Sequence, residues 1–287
     1  MSIRTTHRAL LSRLLPDDET DGLVVRQGQF HIVVIGSDRV VCLPRTRAAA
    51  ARLPERVAAL RTLARLDLGF RTPEPLSQSG AHDIDGTPFL VLDRIPGEPL
   101  ETDALDDERV LDTVAAQYAT LLCSLARAGT DETVRAVLPQ APEDRWRRFA
   151  EDVRAELFQL MSDSGRLRAE RELAALDGLP HVTRAVVHGD LGAENVLWEW
   201  THGLPRLSGV LDWDEVALGD PAEDLAAIGA GYGRELLGRL LALGDWSDHG
   251  LPARITAIRG TFALQQALSA IRDGDEEELA DGLADYR

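Results

Sequence analysis

Two short apolar runs, "AVVHGD" at 185–190 and "GVLD" at 209–212, each end in an aspartate, and a segment of hairpin length separates them. Val196–Trp200 and Leu207–Leu211 read as strands joined by the turn Thr201-His202-Gly203-Leu204-Pro205. A hairpin brings its two ends side by side, so the residue before its first strand lies beside the residue after its second. Asn195 and Asp212 are therefore expected at one rim. Any fold for this chain must set a small β insert, with polar groups at its base, into a half that is otherwise helical.

That half is helical by its periodicity. Val110, Val114, Tyr118, Leu121, Leu122 and Leu125 recur at helical spacing, and further helices are expected over 142–163, 166–177, 222–243, 251–272 and 275–286. The first third reads differently. A helix at 3–15 ends at Pro16, and strand-like runs come next at Leu23–Arg26, His31–Ile35 and Arg39–Leu43. A helix at 46–67, interrupted at Pro54, precedes a second strand pair at Glu74–Gln78 and Pro88–Ile95, linked by His82–Gly86. "IPGEPL" at 95–100 punctuates the change of character. The expected fold class is α+β: a small antiparallel β lobe over residues 1–95 and a larger, mainly helical lobe over 96–287.

Composition narrows the chemistry. A net charge of −17 argues against a nucleic-acid partner and suits a cationic small molecule, or no charged partner at all. All 31 basic residues are arginine, so mechanisms built on a lysine amine are excluded. Cys42 and Cys123 lack companions at ligand spacing, and Cys123 reads as a small core residue of a helix. No uncharged apolar run is long enough for a membrane span, and the N-terminal pattern is not that of a signal peptide. The expectation is a cytoplasmic chain with no membrane partner.

His188, Asp190, Leu191 and Asn195 match H-x-D-L-x-x-x-N. In kinase-type phosphoryl transfer a carboxylate accepts the proton of the acceptor hydroxyl, and a nearby amide oxygen holds a magnesium ion that bridges the nucleotide phosphates. Asp212 supplies a second hard oxygen donor at the same rim. Asp220, placed before Pro221, reads instead as a helix cap. "GAGYG" at 229–233 comes after a helix and not a strand, so it is no dinucleotide fingerprint. "WRRF" at 146–149 reads as a helix face and the acidic run 273–278 as a solvated helix start.

"VVHGDLGAENVL" with "LDWDEVALGDPAEDLA" after it resembles the aminoglycoside phosphotransferase family and its macrolide phosphotransferase relatives, small-molecule kinases with a protein-kinase-like two-lobe fold. The resemblance implies Asp190 as catalytic aspartate, His188 as organiser of its loop, and Asn195 and Asp212 as Mg2+ ligands. It implies that Glu55 supports the phosphate-binding side chain and that Asp93 to Ile95 form the hinge strand beside the purine. Leu197 and Leu211 would lie beneath the base, Phe30 in the phosphate-covering turn, and Asp214 and Glu215 toward the acceptor. One departure stands out: the strand that should present a lysine to the phosphates reads "RVVCLPR", with Cys42 at the expected position. Either Arg45 or Arg47 reaches in to supply that charge, since arginine binds phosphate bidentately, or nucleotide binding is weak or altered.

The function implied is magnesium-dependent transfer of the γ-phosphate of ATP or GTP, bound between the lobes, to a hydroxyl of a small cationic molecule. An aminoglycoside or macrolide antibiotic is the expected acceptor. A metabolic kinase of a sugar, choline-like or amino-alcohol acceptor and a non-catalytic nucleotide-binding pseudokinase are the alternatives.

Overall fold

The computed structural model describes residues 3–28, 30–79, 86–244, 246 and 250–287. Its strands in chain order are β1 (Val24–Gln27), β2 (His31–Ile35), β3 (Arg39–Pro44), β4 (Pro75–Gln78), β5 (Leu90–Asp93), β6 (Glu98–Pro99), β7 (Ala185–Val187), β8 (Val196–Thr201), β9 (Leu204–Val210) and β10 (Ala217–Gly219). The helices are α1 (Ile3–Thr6), α2 (Arg8–Leu14), α3 (Arg47–Ala64), α4 (Glu108–Ala128), α5 (Glu132–Arg135), α6 (Arg145–Glu156), α7 (Asp163–Ala174), α8 (Ala222–Gly231), α9 (Gly233–Leu243), α10 (Leu251–Gly260), α11 (Phe262–Asp273) and α12 (Glu276–Gly282). The chain divides into two compact units, Met1–Leu100 with Glu194–Asp214, and Glu101–Ala193 with Glu215–Arg287.

The first unit is built on an antiparallel sheet of order β1-β2-β3-β5-β4. One sheet face packs on α2: Leu10, Leu11 and Leu15 meet Val34, Val41, Leu43, Phe89 and Val91. α3 buries Leu53, Val57, Leu60 and Leu63. The interruption expected at Pro54 does not occur, because the chain stays helical through it on the strength of that buried stripe. The expected connection at 82–86 lies, apart from Gly86, outside the described residues.

The β8–β9 hairpin belongs with this unit, which a single boundary at residue 95 does not anticipate. β6 pairs with β8 through Glu98↔Trp198 and Pro99↔Leu197. The Arg71 N–H donates to the Ser208 carbonyl at 3.1 Å, and the Val210 N–H donates to the Arg71 carbonyl at 3.0 Å. A Cβ on Gly209 would lie 2.6 Å from the Arg71 carbonyl oxygen and 2.8 Å from Ile95, so only glycine admits this close approach.

The second unit is mainly helical. α4 is capped by Asp107, whose side chain accepts the Arg109 N–H at 2.8 Å, and it buries Val110, Val114, Tyr118, Leu121, Leu122 and Leu125. α6, α7, α11 and α12 enclose a second core of Val153, Leu157, Leu173, Leu264, Leu268, Leu283 and Tyr286. Expected helices 222–243 and 251–272 are each split, at the left-handed Gly233 and at Thr261. Cys123 is exposed on α4 and is not a core residue. Among the described residues no helix is long and apolar enough to cross a membrane.

Candidate active site

In the second unit, β7 is buried along its whole length and pairs antiparallel with β10. The loop that leaves β7 is clamped from α8. One Asp224 carboxylate oxygen accepts the His188 N–H at 2.9 Å and the other the Gly189 N–H at 3.0 Å. His188 is fully buried, and its Nδ1 accepts the Asp190 N–H at 3.2 Å. Gly189 has φ +89°, and a Cβ there would meet the Glu215 carbonyl oxygen at 2.9 Å. Asp190 is thus exposed on a loop whose backbone is fixed from below. Glu215 is exposed beside it, its carbonyl facing Gly189.

Burial pushes the Asp224 carboxyl up to about 7, against the two N–H donors that favour its charged form, with the Glu223 and Asp190 charges adding to the rise. Asp224 escapes a reading of sequence alone, because its partners lie 36 and 35 residues away. Its place in the first turn of α8, after Asp220 and Pro221, is the only local signal. Asp220 itself is structural: it accepts the Ala222 N–H at 3.0 Å and pairs with buried Arg254 at 2.6 Å.

In the first unit the hairpin register sets Val196 opposite Val210 and Leu197 opposite Gly209. One step outward, the Leu211 N–H donates to the Asn195 carbonyl at 2.8 Å, which brings Asp212 to the end of the strand that faces Asn195. Among the described residues only His202 (φ 52°) and Asp212 (φ 54°) are non-glycine residues with left-handed backbone. His202 shares a tight hairpin turn with Gly203, where that conformation is the rule. Asp212 has no hairpin turn to account for it, and such strain concentrates at functional positions. Buried Trp213 anchors the segment, its Nε1–H donating to the Val210 carbonyl at 2.9 Å and its ring stacked on Phe70. Asn195 and Asp212 offer an amide oxygen and a carboxylate, the hard donors that Mg2+ takes alongside water and phosphate oxygens.

The same unit shows where positive charge lies. Cys42 is buried on β3, and burial pushes its thiol up, opposed by the Arg56 charge and helped by Asp214 and Asp212. Arg56 Nε pairs with Asp214 Oδ1 at 2.6 Å, and Arg56 Nη1 lies 3.2 Å from the His31 ring. His31 stands 3.4 Å from the other Asp214 oxygen. Burial raises the Asp214 carboxyl, but the His31 hydrogen bond and the Arg56 charge more than offset it and hold the group below the usual range. Asp214 is therefore engaged within this unit.

The other expected residues take varied places. Glu55 is exposed on α3, and its neighbour Arg56 is the side chain directed at Cys42. Arg45 holds the turn between β1 and β2: its N–H donates to the Phe30 carbonyl at 2.9 Å and its guanidinium to the Gly28 carbonyl at 2.8 Å. Arg47 is exposed. Asp93 accepts from Arg71 at 2.7 Å and from the Glu74 N–H at 2.5 Å. Ile95 and Leu197 are buried and Leu211 is half-buried.

Comparison with known proteins bears on the family and the fold. Residues 27–254 match a family described as "Phosphotransferase enzyme family". The chain is 69% identical, over the full length of both proteins, to viomycin phosphotransferase of Streptomyces vinaceus. Among solved structures, the GDP complex of wild-type aminoglycoside 2'-phosphotransferase-IIIa matches with TM-score 0.82 at 18% identity, covering 99% of this chain and 97% of that one. Macrolide 2'-phosphotransferase type I matches with TM-score 0.71 at 24% identity, covering 100% and 99%. The fold is that of these small-molecule kinases, and the chain, an enzyme that transfers phosphoryl groups, belongs to the phosphotransferase enzyme family.

Proposed function

We propose that this enzyme transfers the γ-phosphate of ATP or GTP, with magnesium, to a hydroxyl of viomycin. The observation that carries the reading is the base of the β8–β9 hairpin, where backbone pairing sets Asn195 beside the segment that holds the left-handed Asp212. Asn195 and Asp212 would hold Mg2+, which would neutralise the donor phosphates as charge moves to the leaving oxygen. Asp190, exposed on the loop braced by His188 and Asp224, would orient the acceptor hydroxyl and accept its proton. The GDP complex of a structural neighbour supports a purine nucleotide as donor. The acceptor is taken from the full-length relative, and a net charge of −17 suits a cationic one.

The experiment is a transfer assay with γ-labelled ATP and GTP against viomycin, an aminoglycoside, a macrolide, choline and a sugar, with and without Mg2+. Label should reach viomycin, and chelation of the metal should stop it. Transfer to choline or the sugar alone would replace this reading with that of a metabolic kinase. Nucleotide binding without transfer to any acceptor would leave a binding protein.

A further inference from the structure

Kinase-type transfer needs a cation on the donor phosphates, and the strand position that could offer one holds Cys42, in a chain without lysine. Arg45 is bonded to the Gly28 carbonyl at 2.8 Å, and Arg47 is exposed. Arg56 differs from both. It lies on α3, its side chain is 14% exposed, and it is held by Asp214 at 2.6 Å and against His31 at 3.2 Å. Arg56, Asp214 and Asp212 all act electrostatically on the Cys42 thiol, so the guanidinium and the aspartate of the hairpin base both lie within electrostatic reach of that strand position.

We infer that Arg56 is the cation that binds the donor phosphates, held in place by Asp214 and His31. Charge and support have exchanged elements relative to the arrangement expected from the sequence. The helix carries the cation where a supporting carboxylate was expected, at neighbouring Glu55. The carboxylate comes from the segment after Asp212, and the strand contributes only the small Cys42, which leaves room for the guanidinium. A guanidinium has five N–H donors in a planar fork, more than Asp214 and His31 can absorb, and the fork matches phosphate oxygens bidentately. Asp214 on this account positions Arg56 and does not meet the acceptor. The inference rests on the nucleotide-dependent reading above.

The test is calorimetric binding of Mg-ATP and Mg-GTP to the full chain, with steady-state kinetics on viomycin. Arg56→Gln should weaken nucleotide binding and raise the donor KM by roughly 10- to 100-fold, the worth of a charge-assisted hydrogen bond, with the viomycin KM unchanged. Since Arg56→Gln leaves Asp214 unpaired, the double variant Arg56→Gln with Asp214→Asn removes both charges and should show the same loss in a stably folded protein. Adding Cys42→Lys to Arg56→Gln should recover at least a tenth of the nucleotide affinity, which a purely structural role for Arg56 does not predict. Wild-type affinity in both Arg56→Gln and the double variant would overturn the inference and leave the phosphotransferase reading standing. Failure of the wild type to bind either nucleotide would overturn both. Nucleotide binding that depends on Arg56, without transfer to viomycin, would support the inference and overturn the acceptor.

Discussion

Asp212 holds a left-handed backbone at φ 54°, a conformation that L side chains adopt at a cost of about 1–3 kcal/mol. Glycine takes it freely. Asp212→Gly should therefore cost no stability, and should gain up to about 1 kcal/mol if the carboxylate adds little to the fold, while Mg2+-dependent turnover is lost. Urea unfolding and a transfer assay on the same preparation measure both. A variant that is less stable by more than about 1 kcal/mol would show that Asp212 is structural. At this scale Asp190, Asn195 and Asp212 were legible as candidates because each stands next to a short apolar strand. The backbone strain at Asp212 was not, since φ is set by the strand pairing and the Trp213 anchor beside it.

At the scale of elements, the loop after β7 depends on α8 through Asp224. Its carboxyl is raised to about 7 in the folded protein, above its ordinary 3.8, so the fold favours the neutral form. The stabilisation from that group is fully present below about pH 4 and is lost as pH rises through about 7. Asp224→Asn does not titrate, so the stability of the wild type relative to this variant should fall between about pH 4 and pH 8. Urea unfolding across that range measures the gap, and a gap independent of pH would contradict the buried, raised carboxyl.

Elements were largely legible in the sequence where one periodicity persists: the strands of the first sheet and the apolar stripe of α4 lie where alternation and helical spacing put them. Helix phase was harder. Glu55 lies two residues from both Leu53 and Val57, opposite their buried stripe, whereas Arg56 is three residues after Leu53 and four before Leu60, on its flank. That spacing was present in the sequence, but the partners that give Arg56 meaning, Asp214 and His31, come from distant segments. The hairpin's allegiance to the first unit was likewise invisible, since it rests on backbone bonds to Arg71 and on pairing with β6.

For the whole molecule, the proposed function would draw on both units: the first holds Asn195, Asp212 and the Arg56 cluster, the second the loop bearing Asp190. On the proposed function these groups serve one reaction, in-line phosphoryl transfer to an acceptor hydroxyl. Positioning and proton acceptance by a side chain contribute about 10²- to 10⁴-fold to such a step. The most direct test is mass spectrometry of viomycin after incubation with Mg2+, ATP or GTP, and either the wild type or Asp190→Asn. The account predicts that the wild type adds one phosphoryl group to viomycin, and that Asp190→Asn binds nucleotide normally but adds it at least about a hundredfold more slowly. Unmodified viomycin with the wild type, or undiminished transfer by Asp190→Asn, would contradict it.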